Sequence, residues 1–185
     1  MKKNFLTLII FGILIIARAQ AEELKVGFAQ LSITPDLIDH WVDVNNDAQF
    51  DPDIDVWTDV NGNEKFDAVW MAGFQKQRPA QGIKDNLMAV AVVIDDGKNR
   101  IGIVTADTVG LMRKFVLGVR EAVPSEWGLD YLMVHATHNH EGPDTQGLWG
   151  PSLFSSGVDP DYMQQLQENI LDALSEAIDN LEPAQ

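Results

Sequence analysis

The sequence predicts an α/β fold, a mixed sheet with helices packed on it, and three observations carry that expectation. Residues 87–106, "LMAVAVVIDDGKNRIGIVTA", read as two short apolar strands, 87–94 and 100–106, joined by an Asp-Asp-Gly-Lys-Asn turn. "YLMVHAT" at 131–137 reads as a buried strand. Segments 111–123 and 160–181 carry apolar residues at helical spacing. Helices that interleave with and follow strands call for a layered α/β or α+β arrangement.

The chain begins with Lys2 and Lys3, then an apolar run over 5–16, then Ala17-Arg18-Ala19-Gln20-Ala21. That order is expected of an export signal at 1–21, removed after Ala21 on the way to the periplasm or the extracellular space. The apolar run is shorter than the about 20 residues a spanning helix needs, so an anchor is the weaker reading. The chain from 22 to 185 is enough for one domain with its own core or for the first part of a larger one.

The 185 residues hold 13 basic and 28 acidic side chains, a formal net charge of −15, and no cysteine. Without a basic stripe to neutralise phosphates, nucleic acid is excluded as a natural partner, and bound cations suit the charge better. An exported chain without cysteine has no disulfides, so its stability must come from packing, with bound metals as an optional addition.

"KVGFAQLSIT" (25–34) alternates loosely up to Pro35, which suggests an early strand pair or one bent strand. Residues 36–70 are rich in Asp and Asn with tryptophans spaced among them, and regular core structure is not expected there. The spacing Leu111, Met112, Phe115, Val116, Val119, Val123 predicts a helix that stops at Pro124. Asp159 is placed to cap a longer helix with Pro160 at its first position, burying Tyr162, Leu166, Ile170, Leu174, Ile178 and Leu181 before Pro183 ends it.

Within the acidic insertion at 41–70, "WVDVNNDAQFD" (41–51) and "WTDVNGNEKFD" (57–67) are copies of one motif. Each copy carries oxygen-bearing side chains at relative positions 1, 3, 5 and 9. They are Asp43, Asn45, Asp47 and Asp51 in the first, and Asp59, Asn61, Asn63 and Asp67 in the second. That spacing wraps hard-cation ligands around calcium. Position 12 is Ile54 or Trp70 rather than Glu, and position 6 is not Gly, so an irregular calcium-stapled loop is expected and not an EF-hand. The plain alternative is a solvated loop whose Trp and Phe residues pack on the domain.

"HATHNHEGPD" (135–144) holds three of the four histidines. A strand ending in His-x-His is expected to place His138 and His140 on one side, where two imidazoles suit a zinc ion with open positions; a hydrogen-bonded strand end is the plain alternative. His135 falls out of register and is expected to be structural. Asp107 can hold a ligating imidazole from its far nitrogen or cap the following helix. Glu141 and Asp144 are expected to close the turn.

"VGFAQLSITP", "RPAQGIKDNLMAVAVVIDDGKNRIGIVTADTVGL" and "ATHNHEGPDTQG", in that order and followed by a long amphipathic helix, resemble the N-terminal region of the neutral/alkaline non-lysosomal ceramidase family. The most specific part is the Thr-His-x-His-x-Gly-Pro signature at 137–143. The resemblance implies the N-terminal part of a larger catalytic domain and a zinc-dependent amidase that splits ceramide, N-acylsphingosine, into a sphingoid base and a fatty acid. It implies a lipid amide as partner and leaves contact with a membrane surface an open expectation. It puts zinc on His138 and sets His140 beside the substrate's polar head or the developing oxyanion. A further His, a Glu and a Tyr, the remaining ligands, come from much later in such chains, so this chain is expected to be an N-terminal fragment. It departs from the family's usual residues at Ser32, Lys84, Val90, Asn139 and Glu141. The competing expectation is a secreted, non-catalytic, calcium-stabilised binding module whose functional surface is the repeat.

Overall fold

A computed structural model describes residues 23–184, so the export-signal segment lies outside the described residues. β1 (Lys25–Ser32) pairs antiparallel with β4 (Met88–Asp95), and β4 pairs antiparallel with β5 (Arg100–Ala106). β5 then runs parallel to β6 (Tyr131–Ala136), through a crossover that contains α1 (Arg113–Ala122). With β7 (Glu182–Pro183) against β1, the sheet has the order β6-β5-β4-β1-β7 and is mixed, as the sequence predicts. The hairpin turn is closed by Arg100 on Asp95 at 2.7 Å. Asp95 is held below the usual carboxylate range first by the Gly97 N–H and then by Arg100.

α2 (Pro160–Asp179) covers one face of this sheet. Asp159 caps it by accepting from the Asp161 N–H at 2.9 Å, and Tyr162, Leu166, Ile170 and Leu174 point into the core. Most of the sheet residues beneath it are small: Ala29, Ala89, Ala91 and Ala106 are buried. At Gly27 the approach is closest, since a Cβ there would run into the Ala177 carbonyl. The Tyr162 hydroxyl donates to the Ile33 carbonyl at 3.0 Å, and Asn169 and Asn180 donate to the Ser32 and Phe28 carbonyls, so polar contacts pin the helix to β1 and its end. Burial raises the Tyr162 phenol above its usual range. The opposite sheet face, with Phe28, Ile101, Tyr131 and Met133, is exposed.

Of the two readings of 25–34, the single strand is the one that forms, and β4 pairs with β1 along its whole length. Two expectations need correcting. α1 begins at Arg113, after Met112 offers no side-chain cap, and it ends before Val123, which Pro124 holds in an extended conformation. The acidic insertion does contain regular structure: β2 (His40–Val42) pairs antiparallel with β3 (Val56–Thr58).

The register of that small sheet shows how the repeat is used. Trp41 sits opposite Trp57, its own counterpart in the other copy, so an approximate twofold axis passes between the two copies. Phe50 and Phe66, also counterparts, stack at 4.2 Å, and Trp41, Trp57 and Trp70 surround them. The aromatic residues therefore form a core of their own. Two buried carboxylates cross between the copies. Asp55 accepts from Val44 N–H and Asp51 N–H in the first loop, and Asp39 accepts from Val60 N–H and Asp67 N–H in the second.

The last connection, between β6 and α2, is organised by one buried carboxylate. Asp144 is fully buried and accepts from the backbone N–H groups of Gln146, Gly147, Leu148, Trp149 and Gly157. Asp144→Ala leaves those donors unpaired in a buried turn, and hydrogen bonds to charged groups contribute about 1.5–3 kcal/mol each. We expect a loss of about 3 kcal/mol or more in urea denaturation, with faster amide exchange at 146–149. Unchanged exchange there would refute this role.

Candidate metal and substrate site

β5 and β6 are parallel, so the segments that follow them, 107–110 and 137–140, leave the sheet at the same edge. There the Thr137 N–H donates to the Ala106 carbonyl and the Asn139 N–H to the Thr108 carbonyl, so the pairing continues past the end of β6. The strand nevertheless stops at Ala136, and His138 takes a left-handed φ of 66°. The two histidines thus meet for a different reason from the one expected. A turn at His138 brings them together, not the alternation of an extended strand.

His138 Nδ1 is 2.7 Å from the Val109 carbonyl oxygen. A carbonyl only accepts, so Nδ1 of the neutral ring carries the proton and Nε2 presents a lone pair. His140 Nε2 lies 3.1 Å from that atom, with the rings edge to face at 4.7 Å. Two ligands of one tetrahedral zinc at ~2.0–2.1 Å stand about 3.3 Å apart, so the spacing of the two Nε2 atoms suits a common ion. In the neutral pair, His140 Nε2–H donates to His138.

Asp107 is not the group on the His138 ring. Its carboxylate accepts from the Met88 N–H at 3.0 Å, and the helix cap that was the alternative falls at Met112. The backbone carbonyl two residues further on orients the histidine instead, which residue type in a sequence cannot reveal. His135 lies away from the pair, 2.9 Å from the Thr105 hydroxyl. Glu141 meets Arg78 at 3.2 Å, and Asp144 holds the turn already described.

Gly73, Phe74 and Arg78 are neighbours of the pair that sequence reasoning missed. Gly73 has φ 101°, and a Cβ there would lie 2.5 Å from His140 Cβ and 2.7 Å from its Nδ1. The Phe74 ring meets the His140 ring edge to face at 5.4 Å. A Gly between two apolar residues in a loop was the available signal. A cavity of about 570 Å³ is lined by Leu37, Val69, Met71 and Ile83 together with Asp107, Asn139 and Glu141; it touches the chain neighbours of His140, while His138 and His140 themselves are not among its lining residues. Lys84, one of the departures from the family's usual residues, also lines it.

The acidic loops fold alike. Asp43 accepts from Asp47 N–H and Ala48 N–H, and Asp59 accepts from Asn63 N–H and Glu64 N–H. Position 6 is left-handed in both, with φ 60° at Ala48 and at Glu64, so the turn that calcium loops make with Gly is made here without it. Asn45 donates to Asp47, and Asn61 and Asn63 donate to Asp67. Asp51 is turned aside and accepts from the Asp53 N–H. Among the described residues, no group of three or more His, Cys, Asp or Glu side chains is placed to hold a metal ion.

No protein-family model and no curated protein matches the chain. Solved structures do match in fold, two of them as follows. One is a ceramidase complexed with C2, with a TM-score of 0.59 and 20% identity; the other is neutral ceramidase from Pseudomonas aeruginosa, with a TM-score of 0.60 and 19% identity. Each match covers 87% of this chain, which spans only 22% of the matched chain's length. The chain therefore has the α/β fold of one region of a larger ceramidase domain, a neutral ceramidase-like region.

Proposed function

We propose that this chain contributes to a zinc-dependent hydrolase that cleaves the amide bond of a lipid amide such as ceramide. The observation that supports this most is the His138 Nδ1 proton committed to the Val109 carbonyl, which leaves Nε2 free to bind a metal. His138 would hold the metal. Zinc, when bound, supplies Lewis-acid chemistry to an amide carbonyl and lowers the pKa of water. His140 would donate its Nε2 proton to the oxygen on which charge develops. The further His, Glu and Tyr that the family resemblance implies would come from outside this chain's 185 residues.

The cavity that touches the chain neighbours of His140 would take part of the amphipathic substrate, its apolar residues against hydrocarbon and its polar residues towards the amide. Leu153 and Phe154, 70% and 97% exposed at a loop tip, would meet the lipid surface that presents it. In protein carrying the remaining ligands, His138→Ala is expected to lose bound zinc, measured by metal analysis, together with amide hydrolysis. Full activity in that variant would contradict the assignment. Phe154→Ser is expected to reduce co-sedimentation with phosphatidylcholine vesicles, and equal sedimentation would remove the membrane contact.

A second role is proposed for the repeat, on the ground that both loops adopt the left-handed residue at position 6. Asp43, Asn45, Asp47 and Asp51, with Asp59, Asn61, Asn63 and Asp67, would provide oxygens to calcium and stabilise the insertion of an exported protein. Calcium should then slow proteolysis within 39–67. Equal cleavage rates in calcium and in chelator would dismiss it.

A further inference from the structure

Arg78 joins two segments distant in sequence at the point where His140 is held. Its Nη2 donates to the Ala72 carbonyl at 2.8 Å and to the His140 carbonyl at 2.9 Å, while Nη1 faces the Glu141 carboxylate at 3.2 Å. The guanidinium lies 4.9 Å over the Phe74 ring, which itself abuts the His140 imidazole. Nε is buried without a partner, so all of the hydrogen bonding passes through the two terminal nitrogens. The side chain is only 12% exposed although it is charged.

We infer that Arg78 is a positioning residue for His140. Gly73 leaves no slack on the other side, because its missing Cβ is the space the imidazole occupies. The ring is therefore held between the Gly73 backbone and the Phe74 ring, and its own carbonyl is fixed by the guanidinium that also lies over Phe74. A guanidinium gives the two N–H groups of Nη2 to the two carbonyls, Nη1 to Glu141 and its plane to Phe74 at once. A lysine keeps the charge, but its compact ammonium has no planar face to lie over Phe74 and no second nitrogen to meet Glu141 while the first serves the two carbonyls. His138 is held separately, by Val109, so the two histidines can be uncoupled.

The inference rests on the reading of His140 as the donor to the developing oxyanion, but its test does not need activity. The full chain, labelled with ¹⁵N in its imidazoles, is compared with Arg78→Lys by NMR, and with Arg78→Gln should the lysine variant fail to fold. In the parent chain, cross-peaks link the Phe74 ring to the His140 ring, and the His140 Nε2–H signal is protected from exchange. In the variant, both are expected to be lost while the His138 Nδ1–H signal persists. Gly73→Ala should reproduce this from the other side of the ring. His140 signals unchanged in a folded Arg78 variant, with only a lower Tm, would overturn the inference. A displaced His140 in a protein that, with all its ligands, hydrolyses no lipid amide would leave the clamp standing and remove the functional reading alone.

Discussion

The site depends on the parallel pairing of β5 with β6. Two parallel neighbours end at the same edge of a sheet, so the segment after β5 and the segment after β6 lie side by side and can bond to each other. One of those bonds, from His138 Nδ1 to the Val109 carbonyl, fixes the chemistry of the ring. It decides which nitrogen holds the proton and which is free to bind a metal. An antiparallel β6 would have sent the histidines to the other end of the sheet. The crossover through α1 is what lets β6 run parallel to β5.

The acidic insertion is tied mechanically to the same place. Its aromatic core leads through Trp70 into the segment that contains Gly73, Phe74 and Arg78. That segment is held by bonds from both sides: the Phe50 N–H donates to the Gln77 carbonyl, the Trp41 indole to the Ala80 carbonyl, and the Ala72 N–H to the Gly142 carbonyl. The repeat thus braces the segment whose Gly73, Phe74 and Arg78 surround His140. Its twofold arrangement explains why two buried carboxylates are tolerated. Each of Asp39 and Asp55 has both oxygens satisfied by the backbone of the opposite copy.

Much of the fold was legible because it follows from period and turn chemistry. The β4–β5 hairpin, β6 and the capped helix α2 stand close to where the patterns of 87–106, 131–137 and 160–181 place them. The repeat was legible as a repeat. Extending its alignment two residues upstream would also have found Asp39 and Asp55, although which loop each serves is set by strand pairing and not by spacing. What stayed hidden was geometry that no local pattern encodes. The left-handed turn at His138 ends the strand early, a backbone carbonyl rather than Asp107 meets the imidazole, and Arg78 reaches a histidine 62 residues away. Residues that act through their backbones or across long separations leave little trace in composition.

The account stands on the protonation pattern of one ring, and long-range ¹H–¹⁵N correlation of the histidine side chains reads it directly. Neutral His138 is predicted to carry its proton on Nδ1, and in protein carrying the remaining ligands its Nε2 resonance is predicted to shift when Zn²⁺ is added. A proton on Nε2, or an Nε2 indifferent to Zn²⁺, would contradict the central claim that this turn presents a metal-binding nitrogen.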